Sequence, residues 1–246
     1  MQLPVYFVSD VHLMLNDSPK AQQRQQRFFS FLDIVKQSGG TLFIVGDLFD
    51  FYFEYPHTIP KMYFDLYLAI ESLRKKDIEV HYVLGNHDYW VQSFIRDRLM
   101  TKVYPQAADI VIRGKSFHIT HGDGILSWDR GYRILKAVIR NPFFIWCYRW
   151  LHPTLGYGFA HWVSRTGYHN GHSAEYNRRV QDELSAYASQ QIARGSQFVI
   201  CGHYHQSVDH ELSGGKLIVM GDWISAPSYA YFDGNDLTLI PVDNHE

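Results

Sequence analysis

Five apolar runs in this chain end the same way, in a polar cluster of Asp, His or Asn beside a small residue. They are Val5-Tyr-Phe-Val-Ser9-Asp10-Val-His12, Thr41-Leu-Phe-Ile-Val-Gly46-Asp47-Leu-Phe-Asp50, Val80-His-Tyr-Val-Leu-Gly85-Asn86-His87-Asp88, Phe117-His-Ile-Thr-His121-Gly122-Asp123 and Phe198-Val-Ile-Cys-Gly202-His203-Tyr-His205. A short apolar run bounded by a turn signal reads as a buried strand. The chain must therefore fold so that several buried strands deliver oxygen and imidazole donors at their tips. Such donors suit hard or borderline divalent ions, and no thiolate pair competes for the role. The glycines at 46, 85, 122 and 202 fit a tight turn or a close backbone approach.

Between the first three runs lie helical patterns. Phe28, Phe29, Phe31, Leu32 and Val35 recur at near-helical spacing over about 18–37 and stop at Gly39-Gly40, and a second helix is expected over about 60–76. Strand, helix, strand in this order is the grammar of parallel βαβ units. Ligands of such sheets gather beyond the carboxyl ends of the strands, where these polar clusters lie. After a short helix near 91–99 the pattern changes to closely spaced β-like runs at 109–113 and 116–120. Further runs follow at 197–201, 208–212, 216–220, 228–232 and 236–240, with Ser213-Gly-Gly215 and Asp233-Gly-Asn-Asp236 as hairpin signals. A second sheet packed on the first is the economical reading.

At 246 residues the chain suffices for one sizeable core. One stretch differs from the rest. Residues 127–179 carry eight basic and two acidic side chains, a net +6 in a chain of net −2, and nine aromatics fall between Phe143 and Tyr168. We read 1–126 with 180–246 as the core and 127–179 as a helical insertion, a lid able to cover the polar centre, bind an anionic amphiphile or touch an anionic membrane surface. The overall charge argues against a nucleic-acid partner. With no 18-residue apolar run and no signal-like start, a cytoplasmic chain, peripheral on the inner face of the membrane, is expected. Cys147 and Cys201 read as buried core thiols.

Two cations roughly 3.5–4 Å apart, sharing one carboxylate, can activate water and neutralise a phosphoryl group. Asp47 is the candidate bridge. Asp10 and His12 can close on one ion, Asn86 supplies a neutral oxygen, and His121, His203 and His205 complete the set, with His203 and His205 pointing the same way on extended chain. His87 suits an acid or anion clamp, and Asp88 and Asp50 are expected to orient ring nitrogens.

The ordered set Asp-x-His, Gly-Asp-x-x-Asp, Gly-Asn-His-Asp, His-Gly-Asp and Gly-His-x-His resembles the calcineurin-like metallophosphoesterase superfamily. That resemblance implies an α/β fold, a four-layer αββα sandwich of two mixed sheets flanked by helices. It also implies a dinuclear centre, with one ion on Asp10, His12, Asp47 and His205 and the other on Asp47, Asn86, His121 and His203. Mn²⁺ is the first expectation for the metal, with Fe²⁺, Zn²⁺ or Mg²⁺ as alternatives. His87 and Asp88 are the catalytic candidates, and Asp50 and Asp123 support the centre from behind. Ser-Asp-x-His-Leu, Gly-Asp-Leu-Phe-Asp-Phe, and His-Gly-Asp-Gly followed by Asp129, Tyr132 and a basic aromatic insertion are similar to the UDP-2,3-diacylglucosamine pyrophosphohydrolases of lipid A synthesis. The implied reaction splits the pyrophosphate by attack at the α-phosphorus, giving UMP and 2,3-diacylglucosamine 1-phosphate, with Asn86, His87, Asn170, Arg178 and Arg179 as substrate contacts. That family usually carries Gly-Asn-Arg-Asp where this chain has His87, which is an acid where Arg is only a cation. The alternative expectation is a phosphodiesterase or phosphatase of another nucleotide or small phosphoester using the same metal site.

Overall fold

The computed structural model describes residues 1–14, 18–159 and 173–242. Two sheets face each other. The first has β1 (Val5–Val8), β2 (Thr41–Val45), β3 (Glu79–Val83), β4 (Lys102–Tyr104), β10 (Ser228–Phe232) and β11 (Leu237–Pro241), in the order β11-β10-β1-β2-β3-β4. The second has β5 (Ala107–Ile112), β6 (Lys115–Thr120), β7 (Phe198–Cys201), β8 (Val208–Leu212) and β9 (Gly215–Val219), in the order β5-β6-β7-β9-β8. Both are mixed. β1 through β4 run parallel and β10 pairs antiparallel with β1, while β6, β7 and β9 run parallel between two antiparallel edges.

Period-two alternation decides which residues face which layer. Val5 and Phe7 of β1, and Phe43 and Val45 of β2, join Phe117, Phe198 and Phe232 in the core between the sheets. Their neighbours Tyr6, Val8, Leu42 and Ile44 point the other way, onto Phe28, Phe31 and Val35 of α1 (Pro19–Ser38) and Leu66 and Ile70 of α2 (Phe64–Arg74). Residues such as these, buried on both faces, are why β1 and β2 read as unbroken apolar runs. The outer face of the second sheet is closed by Val180, Leu184 and Ala188 of α5 (Ala174–Ala193), packed on Val199 and Leu217. This gives four layers, helix, sheet, sheet, helix.

α1 starts where Ser18 accepts a hydrogen bond from the Ala21 amide and Pro19 fills the first helical turn, and it ends at Gly39, φ 74°. One short element escaped the sequence pattern, the three-residue β4, and the helix expected over about 60–76 opens with a single turn of 3₁₀ helix at Lys61–Tyr63 ahead of α2. The expected short helix is a wide, π-type turn at Phe94–Leu99, its first amides held by the buried carboxylate of Glu54.

The stretch read as an insertion begins with α3 (Arg130–Ile139) and α4 (Pro142–Arg149). Aromatic packing ties it to the body. Tyr148 and Tyr157 lie on Phe51 and Phe53, and the Trp90 indole donates to the Ile139 carbonyl at 3.1 Å. Other aromatics face outward, Phe143 at 71% and Trp150 at 76% exposure. An open, largely apolar groove of about 580 Å³ runs along α3 and α4, lined by Ile134, Ala137, Val138, Phe143, Phe144 and Cys147. Cys147 is thus exposed, not the core thiol expected; only Cys201 is buried. No helix among the described residues is long and apolar enough to cross a membrane. The boundary drawn at 179/180 falls inside α5.

Candidate metal centre

The carboxyl ends of β1, β2, β3, β6 and β7 meet at one edge of the sandwich, and short backbone bonds knit the loops that follow. Asp10 N donates to Gly46 O at 3.2 Å, His12 N to Asp47 O at 3.0 Å and Gly202 N to His121 O at 2.9 Å. Of the seven described non-glycine residues with positive φ, five are Asp10, His12, Asp47, His203 and His205. That region is sparsely populated by residues with a Cβ, and such strain collects at functional sites. Glycine is needed where loops touch. A Cβ on Gly85 would collide with the Asp47 carboxylate, and one on Gly202 with Ser9 and Asp10.

Three groups of side chains converge, each with its donor atoms within 4.8 Å of one another: Asp10 with His12 and His205, His12 with Asp47 and His87, and Asp47 with His121 and His203. Asp47 joins two of them. His121 Nε2 lies 3.3 Å from Asp47 Oδ2 and 3.1 Å from Asn86 Oδ1, which brings Asn86 onto the same side. His205 Nε2 lies 3.4 Å from Asp10 Oδ1, and the Nε2 atoms of His12 and His205 face each other at 3.3 Å. Asp10 Oδ1 is buried and accepts no hydrogen bond among the described residues. A buried carboxylate oxygen aimed at converging imidazole nitrogens fits a divalent cation, and the mixed oxygen and nitrogen donor set suits the borderline metals.

Ring orientations are set from behind. His121 Nδ1 donates to the Val45 carbonyl at 2.9 Å, so its Nε2 faces the centre. His87 Nδ1 donates to the Asp50 carbonyl at 2.5 Å, leaving Nε2 3.9 Å from Asp47 Oδ2. Here the structure corrects two expectations. Asp50 orients His87 through its backbone, and Asp88 bonds no ring nitrogen among the described residues: its buried carboxylate accepts from Leu48 N at 2.9 Å, Gly85 N at 2.8 Å and the Tyr82 hydroxyl. Nor is Cys201–His205 extended. β7 stops at Cys201, and the left-handed His203 (φ 70°) and His205 (φ 54°) turn to different groups.

The electrostatics follow from crowding. Burial alone would raise the Asp47 carboxyl, but His121 and His87 hold it well below the usual range. Asp10 behaves likewise, burial being outweighed by the close approach of His205 and the nearby His121 charge. Burial opposes charge on His121, yet Asp47 beside it raises it to about 10. Burial, reinforced by His87, pushes His12 down to about 3; burial, reinforced by His121, pushes His203 to about 4. Asp88, buried beside Asp47, is pushed up to about 6.

The remaining candidates are more distant in role. Asp123 meets three side chains of α3 and no ring of the centre directly: Tyr132 Oη at 3.3 Å, Lys136 Nζ at 2.8 Å and Arg140 Nη2 at 2.9 Å. Arg178 is exposed at the start of α5, and the Arg179 guanidinium lies 3.9 Å from the Trp128 ring centre. Asn170 lies outside the described residues. Sequence reasoning missed Asp222, whose Oδ2 is 3.7 Å from His205 Nδ1. The signal was present, because Leu217-Ile-Val-Met-Gly221-Asp222 has the same build as the other strand ends.

Comparison with known proteins agrees with this geometry. The chain is 28% identical over 262 residues to the UDP-2,3-diacylglucosamine hydrolase of Porphyromonas gingivalis, covering all of both chains. It is 28% identical to the protein of that name from Shewanella pealeana, over 96% of this chain and 97% of the relative. With the Neisseria meningitidis serogroup B protein of that name it shares 26%, over 98% and 99%. A solved archaeal phosphodiesterase shares the fold at a TM-score of 0.51 and 14% identity, over 97% of this chain and 99% of that one. The family profile described as Calcineurin-like phosphoesterase matches residues 3–207, and the chain belongs to that family of metal-dependent hydrolases.

Proposed function

We propose that this protein hydrolyses the pyrophosphate of UDP-2,3-diacylglucosamine to UMP and 2,3-diacylglucosamine 1-phosphate. The observation that carries the reading is the meeting of a buried polar centre with an exposed apolar insertion in one chain, together with full-length relatives of that name. Acyl chains need an apolar slot, and the groove along α3 and α4 offers one. Asp10, His12, Asp47 and His205 would hold one divalent ion and Asp47, Asn86, His121 and His203 the other, Mn²⁺ being our assignment. Bound ions supply Lewis-acid activation of water and charge neutralisation at the phosphoryl group.

The protein's own groups do the rest. His87, fixed by the Asp50 carbonyl and raised against burial by Asp47, holds a proton at Nε2 for the departing oxygen or clamps the phosphoryl anion. The outward aromatics of α4 would rest on an anionic membrane, with the basic insertion beside them. Asn170, Arg178 and Arg179 remain our candidates for contacts to the rest of the substrate.

The deciding experiment resolves by mass the products of UDP-2,3-diacylglucosamine in ¹⁸O-water. Label on UMP is expected, and absence of turnover would overturn the reading. Removing the acyl chains while keeping the nucleotide should lower kcat/KM at least about tenfold.

His87 itself favours a second reading, hydrolysis of a soluble phosphodiester, since an acid suits many leaving groups. The variant His87→Arg separates the two. On the lipid reading it loses about a hundredfold on a soluble dialkyl phosphodiester, whose alkoxide leaving group must be protonated, but less than about tenfold on the UDP-lipid. Equal losses on both substrates would favour the soluble diester.

A further inference from the structure

Tyr132, Lys136 and Arg140 are spaced by four along α3 and so share one face, and that face meets Asp123. Two cations thereby share a single carboxylate at the rim of the centre. The position is close to the chemistry. The Tyr132 ring lies 5.5 Å from the His203 ring, and Arg140 Nη2 also reaches the carbonyl of Gly85, the residue before Asn86, at 3.3 Å.

Arg140 is built in rather than draped over the surface. Its guanidinium lies 4.2 Å from the Tyr89 ring centre, its side chain is 13% exposed, and its Nε is buried with no hydrogen-bond partner among the described residues. Lys136 is 26% exposed and binds both the Asp123 carboxylate and its carbonyl, the latter at 2.6 Å. Gly124, which follows Asp123, takes φ 85°, a turn that residues with a Cβ rarely adopt.

We infer that Lys136 and Arg140 are specificity residues that bind the second phosphate of a diphosphate substrate, the one not under attack, with Asp123 as the internal counter-ion that keeps them poised. A guanidinium fork and an ammonium side by side match a phosphate oxyanion better than either does alone. The pair thus favours diphosphate diesters over monophosphate diesters, which have nothing to place there. This rests on the metal centre proposed above and not on the lipid part of the substrate.

The test compares Arg140→Met and Lys136→Met on a diphosphate diester and on bis-p-nitrophenyl phosphate. Loss of charge-assisted bonds should lower kcat/KM on the diphosphate by about a hundredfold and change the monophosphate diester by less than about threefold. Asp123→Asn guards against a merely structural reading: freed of their counter-ion, the two cations should lower KM for the diphosphate, whereas a simple anchor would lose activity on both substrates. Equal losses, or no loss, in the methionine variants would overturn the inference. UDP-glucose runs beside the UDP-lipid, so that if the wild-type protein cleaves only the former, the lipid reading falls while the phosphate pair is still judged. Wild-type hydrolysis of bis-p-nitrophenyl phosphate with neither diphosphate cleaved would overturn the pair as well.

Discussion

Asp47→Ala is expected to abolish hydrolysis, by at least about a thousandfold in kcat, while the chain stays folded. The geometry makes it unlike Asp10, the other carboxylate of the three donor groups. Asp47 belongs to two of the three donor groups, its Oδ2 lies 3.3 Å from His121 Nε2, and its Oδ1 accepts from His87 N at 3.0 Å. Removing it takes the shared negative charge from both halves and leaves four histidines, His12, His87, His121 and His203, without the carboxylate they surround. Elemental analysis should find less than one bound metal per chain, and circular dichroism an unchanged fold. Stranding the His87 amide and leaving His121 without its partner carboxylate should cost about 1–3 kcal/mol, while the backbone bonds Asp10 N to Gly46 O and His12 N to Asp47 O still hold the loops. A variant that keeps two metals per chain would remove Asp47 from the bridging role.

Asp88→Ala is expected to act on the fold first. Its carboxylate receives the Leu48 and Gly85 amides and the Tyr82 hydroxyl, all buried, and so ties the loop after β2 to the loop after β3. Stranding those donors should reduce stability by about 3 kcal/mol, read as a lower urea midpoint with an unchanged slope. Adding Tyr82→Phe removes one stranded hydroxyl and should return about 1 kcal/mol. Activity should fall as well, because Asp47 and Asn86 sit on the two loops that lose their tie. A proton-transfer role predicts the opposite pattern, full stability with lost activity.

Most of this architecture was legible because each strand is short, apolar and followed by a polar tip, so type and order could be read without knowing the partners. The expected limits of β8 and β10 match the observed ones, and most other strands agree within two residues. Three-residue β4 carries too little pattern to be seen against its surroundings. The donor residues were legible for the same reason the strands were, through repetition of one local grammar. Asp222 repeats that grammar but lacks a second donor beside it, and so did not register. What failed was conformation within the tips. No periodicity reports that His203 and His205 turn left-handed, and no residue pattern distinguishes the Asp50 carbonyl from its carboxylate as the partner of His87. The charge of the insertion was countable, whereas the convergence of Lys136 and Arg140 on Asp123 required the path of α3 in three dimensions.

The course of α5 has a practical corollary. Its second turn carries Arg178 and Arg179, while Val180, Leu184 and Ala188 further along wedge beneath Val199 of β7, the strand that leads to His203. A trimmed enzyme made by excising 127–179 would therefore cut a helix mid-span and loosen the floor under two candidate donors. A graft that keeps 173–193 intact and bridges 127 to 172 with a short linker leaves that floor in place, so a drop in turnover then reports the loss of the excised cover together with Lys136 and Arg140.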